Sequence, residues 1–309
     1  MLVVPVISAI PSLLPALRAA VSGVEFVPLE VSRLTSSDGL WPRARVVIAD
    51  PGLVAGAALD AAEDLEWLQS TWAGVNALVG GRTDFVCARL SGCFGPLVAE
   101  HVFAHVLRCE RRVDELAAAQ RETRWAHDEF AAAARTLRAL TMGVLGAGDI
   151  GRHVAGVARA FGMRTLALSD RPRGNFDAVG DLDAVLRESD VLVAALPSTP
   201  STRGLLDGRL AACGRRPLLI NVGRGDLLSA ASVVEALDAG SIREAVLDVF
   251  EAEPLEETSP LWAHRGVRVT PHVAALSLPG DVARAFAENL GRFREGQPLA
   301  HAVDWAKGY

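Results

Sequence analysis

The stretch Met142-Gly143-Val144-Leu145-Gly146-Ala147-Gly148-Asp149-Ile150-Gly151 limits what this chain can fold into more than any other. Its apolar start reads as a buried strand, it passes through three glycines spaced GxGxxG, and Arg152 to Phe161 then follows as a helix. Each glycine has a separate task in such a turn. Gly146 lets the chain leave the strand sharply, Gly148 lets backbone N–H groups approach a pyrophosphate, and Gly151 lets helix and strand pack closely. Ala147, Asp149 and Ile150 fill the turn, and the positive end of the helix dipole faces the anion. Met163 to Leu168 reads as the next strand and ends at Ser169 and Asp170, where a βαβ unit meets the ribose of a dinucleotide.

With 309 residues the chain has room for two domains of ordinary size. Half of its residues are hydrophobic, but Gly, Pro and charged residues break the apolar runs before they reach membrane-spanning length. A net charge of −6 gives no basic footprint for nucleic acid, so neither a membrane nor a nucleic acid is expected as a partner. Cys87, Cys93, Cys109 and Cys213 lack zinc-ligand spacing and read as reduced thiols. Met1 to Ala20 is apolar, yet it has no Lys or Arg before Arg18 and is interrupted by Pro5, Pro11 and Pro15. It reads as a first strand over residues 2–7 entering a helix near Pro11, not as an export signal, and a cytoplasmic location is expected.

The first hundred residues alternate strand-like and helix-like segments, with further strands expected at 24–27, 45–49, 65–69 and 85–88. This is the pattern of a small α/β domain. Trp72-Ala73-Gly74-Val75 follows the strand at 65–69, the fourth of the chain, at the carboxyl end where open α/β sheets bind ligands. From Pro96 to about Ala119 apolar residues recur at helical spacing and predict one long connecting helix. His101 and His105 lie one turn apart on it. That spacing also suits a metal, but no third ligand accompanies it, and packing at a domain interface is the preferred reading. Beyond the glycine turn, near-continuous apolar runs at 190–197, 218–222, 245–249 and 267–270 read as parallel strands covered on both faces.

Three residues follow three of these strands in succession: Arg224 in Asn221-Val222-Gly223-Arg224-Gly225, Glu253 in the stretch from Asp248 to Leu255, and His272 in Thr270-Pro271-His272. Together they suit the reduction of a 2-oxo acid. A guanidinium takes the carboxylate and the carbonyl oxygen in a fork of charge-assisted bonds. An imidazole exchanges a proton with the substrate oxygen near neutral pH. A carboxylate on the far ring nitrogen orients the imidazole and favours its protonated form.

The glycine turn, Leu196-Pro197-Ser198-Thr199-Pro200-Ser201-Thr202, the Arg224 motif, the Asp248 to Leu255 stretch and Thr270-Pro271-His272 resemble, in order and spacing, the D-isomer-specific 2-hydroxyacid dehydrogenases. The resemblance covers nearly the whole chain. The short first domain and the closing Val303 to Tyr309 are most similar to the glyoxylate/hydroxypyruvate reductase A subgroup. It implies a doubly wound, parallel-sheet Rossmann domain of residues 98–276 inserted into a smaller flavodoxin-like α/β substrate domain of residues 1–97 plus 277–309, with the active site in the cleft between them. It also implies roles by position. Arg224 binds substrate, His272 is the acid/base, Glu253 is its partner, and the amides of Ala73, Gly74 and Val75 meet the substrate carboxylate. Leu196, Pro197, Ser198, Thr202, Val222 and Gly223 border the cofactor, and Asp248 lies by the nicotinamide carboxamide. Members are usually homodimers through the cofactor domain, and Trp125 is a candidate to reach across.

Two departures stand out. Trp72 is bulkier than the residue expected in its loop, which bears on substrate size. Ser169 replaces the Asp with which the family's NAD enzymes end the second strand, removing a charge that would repel a 2′-phosphate, and Arg171 and Arg173 are placed to neutralise one. Asp170 retains the option of the ribose hydroxyls, so NADP(H) is favoured with NAD(H) as the alternative. The expected activity is NAD(P)H-dependent reduction of glyoxylate, hydroxypyruvate or a similar small 2-oxo acid to the D-2-hydroxy acid, without a metal. The alternatives are a family member acting on a larger 2-oxo acid or on formate, and a nucleotide-sensing protein like the corepressors that share this fold.

Overall fold

The computed structural model describes residues 1–35, 37, 39–169 and 174–306. The chain divides into two compact units, Met1–Cys93 with Ser277–Tyr309, and Phe94–Leu276. The first boundary falls at Cys93/Phe94, because Phe94 already begins a helix that runs to Glu110.

The first unit contains β1 (Leu2–Ile7), α1 (Leu13–Ala20), β2 (Val24–Pro28), β3 (Val46–Ala49), α2 (Pro51–Val54), α3 (Ala57–Asp60), β4 (Trp67–Ser70) and β5 (Val86–Ala88). The five strands are parallel in the order β2-β1-β3-β4-β5, the flavodoxin-like arrangement. Every residue of β3 and β4 is buried, as central parallel strands require. The end of the chain completes this core. Trp67 of β4 stacks on Phe286 at 5.0 Å between ring centroids, and Phe26 meets the same ring edge-on at 5.6 Å. Buried Asn289 donates to Gln69 Oε1 at 3.0 Å, and Trp305 packs against Phe85.

The second unit begins with α4 (Phe94–Glu110), α5 (Val113–Arg121) and α6 (His127–Ala133). The single helix expected from Pro96 to Ala119 is thus two. Arg112 takes a left-handed backbone conformation at φ 51° and breaks it, and Asp114 in the new first turn reaches back to Arg108 at 2.7 Å. There follow β6 (Thr141–Leu145), α7 (Asp149–Ala160), β7 (Arg164–Leu168), β8 (Ala178–Gly180), α8 (Leu182–Glu188), β9 (Val191–Ala194), β10 (Leu218–Asn221), α9 (Ala230–Asp238), β11 (Glu244–Leu247) and β12 (Val267–Val269). Helix α10 (Pro279–Arg294), which carries Phe286 and Asn289, belongs to the first unit.

The seven strands of the second unit are all parallel, in the order β12-β11-β10-β9-β6-β7-β8. Counted from β6, this is the doubly wound Rossmann order 3-2-1-4-5-6 with one strand added. The chain reverses its winding between β6 and β9, and the glycine turn leaves β6 at that switch point. Strands β6, β9 and β10 are buried along their whole length. Leu145, Leu186, Leu192, Leu219 and Leu247 share one buried core that packs strands β6, β9, β10 and β11 with helix α8.

Candidate active site

At the end of β6, Gly146 turns at φ 112°, a backbone conformation that L side chains rarely adopt. A side chain at Gly151 would collide with the Gly146 carbonyl oxygen, so strand and helix approach here as the sequence demands. Gly148 caps α7, and a methyl group added to it would meet nothing within 4 Å. That opening, with the amides of Asp149, Ile150 and Gly151 at the helix start, fits a pyrophosphate. Across the switch point, Leu196 and Pro197 follow β9, and both Gly146 and Gly223 press on this segment. Added Cβ atoms would come within 2.8 Å of the Ala195 oxygen and 2.7 Å of the Leu196 oxygen respectively. Thr202 spends its hydroxyl proton inside the loop, on the Pro197 carbonyl at 2.6 Å. Val222 is buried, and Ser169 ends the second strand as expected. Asp170, Arg171 and Arg173 lie outside the described residues.

The second unit also brings His272 and Glu253 together. His272 Nδ1 is 2.7 Å from Glu253 Oε2, and the other Glu253 oxygen accepts the Phe250 amide at 2.9 Å. One carboxylate oxygen therefore aims the ring while the other fixes the carboxylate, which leaves Nε2 as the ring nitrogen free to meet a substrate. His272 sits at φ 54°, uncommon for a side chain of its size. Asp248 holds that turn in place. Its backbone oxygen accepts the His272 amide at 2.9 Å, and its buried carboxylate accepts the Thr270 hydroxyl (2.6 Å) and the amides of Val273 and Ala274 (2.9 Å each). Sequence reasoning placed Asp248 beside the cofactor but missed this grip and Thr270's part in it. A buried Asp at a strand's end is the one signal that pointed to it.

Arg224 is carried by a turn clamped by Asn221, whose side chain donates to the Arg224 carbonyl at 3.0 Å and accepts the Gly223 amide at 3.1 Å. The guanidinium itself donates to the Gly223 carbonyl at 2.7 Å. Gly225 lies directly on the Phe250 backbone, so the Arg224 turn and the Glu253 turn are in contact.

His101 and His105 face each other on α4 with ring centroids 4.8 Å apart. His101 Nε2 and His105 Nδ1 are buried without a hydrogen-bond partner among the described residues. Among those residues no group of three or more His, Cys, Asp or Glu side chains is placed to hold a metal ion. Burial pushes His105 down from 6.5 to about 4, helped by His101, Arg108 and Arg268 and opposed by Asp248. Burial lowers His101 as well. Because the folded value lies below the unfolded one, the native state binds fewer protons, and stability present above pH 6.5 is lost as pH falls toward 4. Urea midpoints measured from pH 7 to pH 4 are expected to show a loss on the order of 2 kcal/mol that His105→Leu removes. Parallel curves for the two proteins would show that His105 is not its source.

In the first unit, Trp72 is 48% exposed and its loop is shaped by Ser70, which accepts the Trp72 amide at 3.0 Å and donates to its carbonyl at 2.8 Å. The side chain of Val75 is in the core, so only its backbone is left for a ligand. Among the described residues, the amides of Ala73, Gly74 and Val75 donate to no protein acceptor. No sequence motif pointed to Asp50. It receives the Ser8 hydroxyl (2.6 Å), the Ala9 amide (2.9 Å) and the Thr71 hydroxyl (2.5 Å), and so joins the segments that leave β1, β3 and β4 at the β1/β3 switch point.

Residues 103–274 match the family model described as D-isomer specific 2-hydroxyacid dehydrogenase, NAD binding domain. The chain belongs to this family. Like its other members it is an oxidoreductase, built around a nicotinamide-dinucleotide domain. The glyoxylate/hydroxypyruvate reductase A of Photorhabdus laumondii is 36% identical over 221 residues, 70% of this chain and 69% of that one. A family dehydrogenase from Xanthobacter autotrophicus, solved with NADPH and MES, is 32% identical, with a TM-score of 0.85 over 99% of each chain. The NADPH-dependent glyoxylate/hydroxypyruvate reductase of Sinorhizobium meliloti, solved with NADP and sulfate, is 28% identical, with a TM-score of 0.86 over the full length of both chains. Among the described residues of this dehydrogenase no helix is long and apolar enough to cross a membrane.

Proposed function

We propose that this dehydrogenase reduces a small 2-oxo acid of the glyoxylate or hydroxypyruvate type to the D-2-hydroxy acid, using NADPH in preference to NADH. The observation that carries the reading is the 2.7 Å pairing of His272 with Glu253. It leaves an imidazole nitrogen to give a proton to the C2 oxygen in reduction and to take it back in oxidation. A bound nicotinamide nucleotide supplies the hydride. Glu253 stabilises the imidazolium and keeps Nε2 on the substrate side of the ring. Arg224 forks across carboxylate and carbonyl oxygen, drawing charge onto that oxygen as it takes up the proton. The free amides of Ala73, Gly74 and Val75 are assigned to anion binding.

The substrate class is supported by the names of the relatives, and the choice of nucleotide by the NADPH and NADP in two of them. In this chain Ser169 in place of an acidic residue supports the same choice, and Asp170, Arg171 and Arg173 belong to the reading through their charge. A homodimer through the second unit is part of the proposal, with the 91% exposed Trp125 as a contact.

The test is absorbance at 340 nm with glyoxylate and with hydroxypyruvate, each against NADPH and NADH. Rapid oxidation of NADPH, with NADH at least tenfold slower in kcat/KM, is the expected result, since a 2′-phosphate paired with two arginines is worth about 1.4 kcal/mol or more. Tight nucleotide binding without turnover of either acid would overturn the reading.

A further inference from the structure

The carboxylate of Asp226 has no part in the scheme above, yet it stands between two of its working parts. On one side it accepts the Ser198 hydroxyl at 2.5 Å and lies 3.2 Å from Arg203 Nε. Its backbone oxygen accepts the Gly204 amide at 2.8 Å, and one residue on, Leu227 accepts the Leu206 amide at 3.1 Å. The segment after β9 is thus stitched to residues 226–227 by side chain and backbone together. On the other side, Asp226 is two residues from Arg224 in a short turn that the Asn221 side chain and the Gly225–Phe250 contact also hold.

Asp226 holds the loop that meets the nucleotide through a charge-assisted side-chain bond, beside the packing of Gly223 on the Leu196 backbone. A hydroxyl has one proton, and Ser198 gives it to Asp226, so toward a nucleotide Ser198 offers only lone pairs and its backbone amide. The bonds to Asp226 are charge-assisted and therefore stronger than the neutral contacts around them. The Asp226 side chain is about one-third exposed, so removing it opens no core.

We propose that Asp226 is a positioning residue that ties the Leu196–Thr202 loop to the Arg224 turn, so that nucleotide held by the first sets the geometry with which the second takes a carboxylate. The proposal rests on the roles given above to that loop and to Arg224. It predicts positive coupling between nucleotide and carboxylate that is transmitted through the Ser198–Asp226 bond.

Three measurements on the full chain test it: the dissociation constant of NADPH, that of the unreactive 2-oxo acid mimic oxamate with and without saturating NADPH, and the melting temperature. In the parent, NADPH is expected to tighten oxamate by about tenfold or more, within the usual range for coupled sites. Asp226→Ala is expected to bring that ratio to within about twofold of unity. Asp226→Asn, which still accepts the Ser198 hydroxyl, is expected to keep most of it. An Ala variant that melts earlier but retains full coupling has a structural role only and overturns the proposal, as does a parent in which NADPH leaves oxamate affinity unchanged. A parent that shows the coupling but turns over no 2-oxo acid retires the proposed reaction and leaves the role of Asp226 standing.

Discussion

Replacing His272 with asparagine is expected to lower kcat for 2-oxo acid reduction by about two to four orders of magnitude, the usual contribution of a positioned proton donor. Asparagine suits the test because position 272 sits at φ 54°, a conformation Asn tolerates better than any other non-glycine residue. The turn can then survive, since Asp248 grips it through the amides of residues 272, 273 and 274 and through Thr270, and none of these bonds uses the imidazole. What disappears is a group able to hold a proton over the C2 oxygen. KM for the 2-oxo acid is expected to stay within a few-fold of the parent, because in the proposed mechanism Arg224 still holds the carboxylate, and a loss confined to kcat marks an interaction made in the transition state. NADPH oxidation at 340 nm gives both constants, and circular dichroism shows whether the variant is folded. A folded variant with near-parental kcat would place the proton donor elsewhere.

Why His272 and its partners were legible in the sequence, while the residues that hold them were not, follows from the range of the interactions. Strands β6, β9 and β10 are covered on both faces, so each had to be a short unbroken apolar run, and the residues after each run had to lie at one edge of the sheet. Arg224 follows β10 by that rule. Glu253 and His272 follow β11 and β12, and β12 is an edge strand with Arg268 exposed, so the expectation that it is covered on both faces fails there while its place at the same sheet edge holds. The rule does not say what a strand-end carboxylate binds. Asp248 spends its side chain on residues 22 to 26 positions away, and Asp226 meets Ser198 across 28. Such partners are set by which strands become neighbours. The break at Arg112 was hidden for a different reason. Apolar spacing continues across it, and the residue that turns left-handed has no intrinsic preference for doing so.

Gly225→Ala is expected to do nearly as much damage as the loss of His272, through one methyl group. Gly225 has no positive φ, so the backbone itself would accept alanine; the obstacle is proximity. The added carbon would run into the Phe250 carbonyl carbon and oxygen, which are backbone and cannot swing aside as a flexible side chain can. The Arg224 turn and the segment at Phe250 must therefore move apart. Overpacking of this kind costs about 1–3 kcal/mol of stability, visible as an earlier melt. The larger effect falls on the chemistry, because the Phe250 amide holds Glu253, and Glu253 holds the His272 ring. A shift at Phe250 moves the guanidinium and the imidazole relative to one another, and a misplacement of about 1 Å is enough to cost on the order of a hundredfold in rate. Since the methyl touches neither ligand, kcat/KM is expected to fall by about that factor while NADPH affinity stays within a few-fold. A folded Gly225→Ala enzyme with parental kcat/KM would show that the Arg224 and Glu253 turns adjust independently, and that their contact at Gly225 serves packing alone.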